Sequence, residues 1–234
     1  MIISKDNETI KYLKKLKQKK YRDAENKFLV FGDHLVSEAL NNGKVLNIYT
    51  SNENKEGILI TDNIMKELNF TETPYDILAV CEKVDKDFKS DKILVLEDVQ
   101  DPDNVGALLR SASAFGFRTV LLSNKCADCY NEKTIRASKG AIFHLDIKRV
   151  DVYKKINELK ELGYVIYTTD VRGTNKGKLL DNCVLVLGNE GQGVTDQMQG
   201  LADYKLTIKT ENVESLNVAI AGSILMYEWS KIWE

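Results

Sequence analysis

From residue 92 onward, short apolar runs alternate with helical patterns, and this alternation restricts the fold more than any other feature of the chain. The runs "ILVLEDV" (93–99), "RTVLLS" (118–123), "YVIYTTD" (164–170), the start of "CVLVLGNEGQGV" (183–194) and "KLTIK" (205–209) read as strands. Between them, residues 104–116, 131–141, 151–163 and 195–202 carry helical spacing, with "AIFHLDI" (141–147) extended. Near-continuous apolar strands separated by helices predict a parallel sheet with both faces covered.

The first part of the chain has a different texture. A helix is expected over 8–20, a strand over 26–32, a helix over 33–43, and short strands at 45–50, 57–61 and 77–81. These form a small α/β unit. The stretch "EKVDKDFKSD" (82–91) is charged and lacks a pattern. The expected organisation is therefore a domain over 1–82, a linker over 83–91 and a larger α/β domain over 92–234.

Charge is unevenly spread. Net charge is -2, yet residues 1–22 hold eight basic side chains against two acidic ones, leaving the remainder at -8. A basic segment on an acidic protein is an electrostatic footprint for polyanions. Lys14, Lys15, Lys17, Lys19, Lys20 and Arg22 are the candidate RNA contacts, with Tyr12 and Tyr21 interleaved. The plainer alternative is a solvated helical face.

The 234 residues hold no apolar run of membrane-spanning length, and the N-terminal stretch has no signal-peptide core, so a cytoplasmic location is expected. Cys126 and Cys129 have ligand-like spacing but no second pair accompanies them; no metal site is expected, and free thiols are.

Three polar clusters fall after strands, where open α/β sheets bind ligands. "DPDNVGALLR" follows 93–99, "GNEGQG" follows 183–187, and "ESLN" follows 205–209. Asp103 or Asn104 is the expected cap of the first helix, and Gly106 and Arg110 share a face. The "GNEGQG" turn lacks the Lys-Ser/Thr of a phosphate loop, and its glycines do not fit the dinucleotide spacing. Main-chain groups there could still grip a nucleoside-type cofactor by its uncharged parts. The third cluster precedes "VAIAGSILMYEW", apolar on nearly every side, which predicts a helix buried in a core or against a partner. Ser215 is its expected cap.

Taken together, Asn104-Val-Gly106-Ala-Leu-Leu-Arg110, Gly188-Asn-Glu190-Gly191-Gln-Gly193 and Ser215-Leu216-Asn217-Val218 resemble, in order, the three motifs of the SpoU family of RNA ribose 2′-O-methyltransferases, TrmH-like members of the SPOUT superclass. The segment "RASKGA" (136–141) is similar to a further family feature. The resemblance covers about residues 92–234; the first 80 residues are more weakly similar to the family's small substrate-binding domain. One departure stands out. Family members often read Ile-Pro-Met-x-Gly before the third motif, where this chain has Ile208-Lys209-Thr210-Glu211.

The resemblance implies a parallel-sheet catalytic domain with a C-terminal trefoil knot, a homodimer with the pocket at its interface, and S-adenosyl-L-methionine (AdoMet) as methyl donor. It places the cofactor against Gly188, Asn189, Gly191, Gly193, Ile208 and Leu216, and it makes Arg110, Asn104, Glu190, Ser215 and Asn217 the catalytic set. Glu190 is expected either to pair with Arg110 or to satisfy turn amides. Structured RNA is the implied substrate, rRNA ahead of tRNA. A non-enzymatic RNA-binding protein with a degenerate catalytic domain is the alternative from another class.

Overall fold

In the computed structural model, residues 1–87, 90–171, 173 and 179–230 are described. The chain opens with α1 (Glu8–Leu16), α2 (Lys19–Glu25), β1 (Lys27–Phe31), α3 (Asp33–Asn42), β2 (Lys44–Thr50), β3 (Ile58–Leu59), α4 (Asp62–Leu68) and β4 (Ile77–Glu82). There follow β5 (Lys92–Leu96), α5 (Pro102–Ala114), β6 (Thr119–Leu122), α6 (Glu132–Ser138), β7 (Asp146–Arg149), α7 (Val152–Glu161), β8 (Val165–Thr169), β9 (Cys183–Leu187), α8 (Asp196–Leu201), β10 (Tyr204–Leu206) and α9 (Val218–Ser230).

Two compact units emerge, one of Met1–Val84 with Asp128–Phe143, the other of Asp85–Ala127 with His144–Glu234. The first holds a four-stranded sheet in the order β1-β4-β2-β3, in which β4 runs antiparallel to both neighbours. Its core gathers Ile10, Leu13 and Leu16 of α1 with Ile64, Met65 and Leu68 of α4 and with Leu29, Phe31, Leu78 and Val80 of the sheet.

Residues 128–143 lie within the span expected to belong to the larger domain, yet they pack in this first unit. The reason is local. Tyr130 and Phe143 place their rings 4.7 and 6.1 Å from that of Phe28, and Asp128 pairs with Arg22 at 2.6 Å. The expected helix over 8–20 is broken at Lys17-Gln18, where the chain turns from α1 into α2. The expected extended run at 141–147 begins as a 3-10 turn over Ala141–Phe143. Of the predicted linker over 83–91, residues 88 and 89 lie outside the described residues; Ser90 is buried and its hydroxyl donates to the Lys92 carbonyl.

The second unit is a six-stranded, wholly parallel sheet in the order β10-β8-β9-β5-β6-β7. Alternation along the strands divides its two faces. Ile93, Val95, Val184 and Val186 face Val152, Ile156 and Leu159 of α7 and Met198 of α8. On the opposite face α9 packs against α5. There Trp229 meets the rings of Phe117 and Tyr167 edge-on at 6.0 and 5.1 Å. A Cβ at Gly222 would stand 2.5 Å from both Leu108 of α5 and Leu187 of β9, so the small residue sets how closely α9 approaches.

The all-round apolar character of α9 is not matched by all-round burial. Ala219, Gly222, Leu225, Met226 and Trp229 are buried, but Ile220, Ile224 and Tyr227 are 53%, 38% and 47% exposed. Among the described residues, no helix is long and apolar enough to cross a membrane.

Candidate active site

Strands β5, β9 and β10 deliver the three polar clusters to the same end of the parallel sheet. After β5 the helix cap is Asp101, whose side chain accepts from the Asp103 amide at 2.9 Å; Pro102 occupies the first turn, where its missing N–H costs nothing. The expected caps, Asp103 and Asn104, therefore lie inside the helix. That frees the Asn104 side chain, on a buried residue, for other partners.

After β9 the chain makes a closed turn in which Asn189 and Gly193 exchange two main-chain hydrogen bonds of 3.0 and 2.9 Å. Asn189 Oδ1 also accepts from the amides of Gly191 and Gln192. A Cβ on Gly188 would collide with the Gly193–Val194 backbone, which accounts for glycine at the turn's base. After β10, residues 207–217 lead to α9. Its cap is Asn217, whose Oδ1 accepts from Ala219 and Ile220 at 2.9 and 3.3 Å. This corrects the expected cap, Ser215, which is exposed two residues earlier.

A hydrogen-bonded relay joins the three segments. Asn217 Nδ2 donates to Asn104 Oδ1 at 3.0 Å, and Asn104 Nδ2 donates to Glu190 Oε1 at 3.1 Å. The Glu190 carboxylate also accepts from the main-chain amides of Gln100 and Asp101, at 3.2 and 3.0 Å. Partial burial pushes this carboxyl upward, but the bonds from Asn104 and the turn amides outweigh it and hold the pKa below the ordinary range. Within the chain, Glu190 is exposed as a residue and directs both oxygens at Asn104 and main-chain N–H groups. Arg110 sits six residues beyond Asn104, about 9 Å along the helix at 1.5 Å per residue. It is exposed and has no ion pair among the described residues.

Behind the relay lies a cavity of about 380 Å³. Gly188, Asn189, Gly191, Gly193, Ile208 and Leu216 all line it, together with Glu190 and Ser215. Thr169 and Asp170 at the end of β8, Gln199 of α8, and Thr207 and Thr210 line it too. Thr210 belongs to the 208–211 stretch that departs from the family pattern, while Thr169, Asp170, Gln199 and Thr207 lie outside the three motifs. The polar "TTD" closing an apolar strand was the signal for Thr169 and Asp170. Nothing in local spacing marks Gln199, whose place comes from bonds to Thr168 and to the Thr169 carbonyl. The volume falls within the range of small-molecule sites, and the lining mixes apolar side chains with main-chain polar groups, which suits a nucleoside moiety.

The six basic candidates of the N-terminal segment separate in the first unit. Arg22 is buried, donates to the carbonyls of Leu16 and Lys17 at 3.1 and 2.7 Å, and grips Asp128. It is a structural brace that closes the α1–α2 turn, and it is withdrawn from the RNA-facing set. Lys14 pairs with Glu67, Lys19 with Asp23, and Lys17 donates to the carbonyls of Glu67 and Asn69 with its head 4.3 Å from the Phe70 ring. Lys15 and Lys20 are exposed, without ion pairs among the described residues, and flank the Tyr21 ring at 6.0 and 4.8 Å. Among the described residues, no group of three or more His, Cys, Asp or Glu is placed to hold a metal ion, and the four cysteines are buried and outside any disulfide.

Comparison with known proteins agrees with this geometry. Residues 91–227 match the SpoU rRNA methylase family, and residues 7–79 match the MRM3-like substrate-binding domain. The chain is 34% identical, over 97% of its length and 97% of the relative's, to the 23S rRNA (guanosine(2553)-2′-O)-methyltransferase RlmP of Bacillus subtilis. A solved TrmH-family structure from Porphyromonas gingivalis superposes with a TM-score of 0.87 at 28% identity, covering 99% of each chain. The SpoU methyltransferase AviRb of Streptomyces viridochromogenes, solved with AdoMet, shares the fold at a TM-score of 0.85 and 24% identity, covering 97% of this chain and 98% of its own. The chain belongs to the SpoU methylase family. It is an AdoMet-dependent RNA ribose 2′-O-methyltransferase, with a parallel-sheet catalytic domain and an N-terminal substrate-binding domain.

Proposed function

We propose that this enzyme methylates a ribose 2′-hydroxyl of 23S rRNA, with the cofactor held in the cavity behind residues 188–194 and the target ribose presented at the Asn104–Asn217 relay. The observation that carries this reading is the relay itself. Residues 104, 190 and 217 are far apart in sequence, yet their side chains form one hydrogen-bonded chain, and Glu190 at its end lines a cavity of cofactor size. The rRNA target follows the likeness to the Bacillus enzyme over nearly the whole chain.

Main-chain groups of 188–193, 208 and 216 hold the cofactor, which supplies an already activated methyl group on a sulfonium. The protein's task is alignment. Asn217, fixed by its capping bonds, orients Asn104; Asn104 and the amides of Gln100 and Asp101 keep Glu190 ionised at the rim. Ser215 lines the same rim and positions the ribose. Arg110 acts as a permanent cation, since a guanidinium does not give up its proton in proteins; it holds an RNA phosphate and stabilises charge developing on the 2′-oxygen. Lys15 and Lys20, with Lys14, Lys17 and Lys19 behind them, supply salt-dependent attraction to the RNA backbone.

Arg110 is exposed on α5, and α9 beside it offers Ile220, Ile224 and Tyr227 to solvent, with Phe115 of α5 against the Tyr227 ring at 5.7 Å. We assign this face to the homodimer that family membership implies, so that Arg110 completes a site built at the interface. The trefoil knot and a cytoplasmic location belong to the same reading.

Nucleoside mass spectrometry of rRNA from cells with and without the gene tests the substrate: one 2′-O-methyl nucleoside is lost, and its site is mapped by resistance to alkaline cleavage. Loss from tRNA alone overturns the rRNA assignment. Arg110→Ala abolishes transfer while AdoMet affinity stays within a few fold; undiminished turnover removes Arg110 from the mechanism.

A further inference from the structure

The loop that walls the cofactor cavity also has a back. Behind it lies a second, polar cavity of about 280 Å³, bordered by Glu97, Asp98, Lys125 and Thr195, and by Asn189 and Gln192 of the loop itself. Neither Glu97 nor Asp98 lines the cofactor cavity. Glu97 is only 1% exposed and has no ion pair among the described residues. A buried carboxylate without a cation persists only when donors surround it. Three do: Tyr153 Oη at 2.6 Å, Thr195 Oγ1 at 2.8 Å and the Thr195 amide at 3.0 Å. The Glu97 amide itself donates to the Leu187 carbonyl at the end of β9.

The next residue, Asp98, adopts a left-handed conformation at φ 57°, uncommon for a residue with a Cβ. Ser123 Oγ secures it, accepting from the Asp98 amide at 2.9 Å and donating to Oδ1 at 2.6 Å. In that conformation the Asp98 carbonyl accepts from Asn189 Nδ2 at 2.9 Å. Two successive residues therefore hold the two ends of one loop: Asp98 takes Asn189, just after Gly188, and Glu97 takes Thr195, just after Val194.

We propose that Glu97 and the Asp98 carbonyl form a two-point clamp on the AdoMet-binding loop, and that Glu97 is a positioning residue for the cofactor. The proposal rests on the assignment of AdoMet to the larger cavity. The clamp fixes where the amides of residues 189–193 stand relative to that cavity. A carboxylate suits the role because all three partners are donors. A glutamine would turn its own NH₂ toward one of them, and a bond to a charged group would be lost.

Calorimetric titration of the full-length protein with AdoMet, with kcat and KM on an rRNA transcript and thermal melts, tests this. Glu97→Gln and Thr195→Val weaken AdoMet binding by roughly tenfold or more, with kcat at saturating AdoMet within about twofold of wild type. Thr195→Ser, which keeps the hydroxyl, binds within about twofold of wild type. The clamp is refuted if Glu97→Gln and Thr195→Val bind AdoMet normally, or if kcat falls as far as affinity, or if Thr195→Ser is as weak as Thr195→Val. Should Glu97→Gln melt below the assay temperature, the Thr195 pair carries the same decision. Wild-type protein that binds no AdoMet would instead overturn the cofactor assignment, a different and separately visible failure.

Discussion

Replacing Arg22 by alanine distinguishes a structural brace from an RNA contact within a run of near-identical basic residues. Its guanidinium donates to two main-chain carbonyls and forms a 2.6 Å ion pair with Asp128, the two side chains only 6% and 12% exposed. Truncation strands a largely buried carboxylate and leaves two carbonyls short of a donor. Breaking one half of a buried pair costs about 3–5 kcal/mol. With urea m-values of about 1–3 kcal/mol/M for small domains, the unfolding midpoint of the first unit falls by about 1 M or more. Far-UV circular dichroism in urea reads it. Tryptophan fluorescence follows the second unit separately, since both tryptophans of the chain, Trp229 and Trp233, fall within its residue range. Adding Asp128→Ala to Arg22→Ala recovers part of the loss, because the stranded charge is gone. An Arg22→Ala protein with an unshifted midpoint and RNA affinity down tenfold would refute the brace and return Arg22 to the RNA-binding set.

The same structure sets other expected outcomes. Gly222→Leu drives side-chain atoms into Leu108 and Leu187, which a Cβ alone already approaches to 2.5 Å, and costs about 1–3 kcal/mol or more by overpacking; wild-type stability would show that α9 is not seated as described. Burial pushes the thiols of Cys81 and Cys183 up to about 12; at pH 8 they resist alkylation in the native protein and label only after denaturation, as mapped by peptide mass spectrometry. Glu190 has a native pKa below its ordinary value, so its ionised form contributes stability above the unfolded pKa, and that contribution disappears as pH falls through the lower native one. Nuclear magnetic resonance titration of a side-chain-labelled sample places its midpoint below about 4.3, the ordinary glutamate value; a midpoint above that value contradicts the relay.

The larger share of the architecture was legible in the linear pattern because strand alternation and helix periodicity are local. The runs at 93–99, 118–123, 164–170 and 183–187 became β5, β6, β8 and β9, and the helices between them formed close to their expected places. Cap positions were less legible. Asp101 took the cap expected at Asp103 or Asn104 because Pro102 can only follow it, and Asn217 displaced Ser215 because α9 begins at Val218.

What the chain by itself determined was the identity and order of three polar clusters at strand ends, since motif spacing and strand pattern are properties of contiguous residues. What only the tertiary structure decided was which side chains meet. Asn104, Glu190 and Asn217 are joined by hydrogen bonds between residues 86 and 113 positions apart, Arg22 is removed from a basic face by Asp128 at a separation of 106, and α9 leaves Ile220, Ile224 and Tyr227 uncovered within the chain. Partners at such separations depend on how the sheet stacks its strands and on which helix covers which face, and no local spacing encodes that.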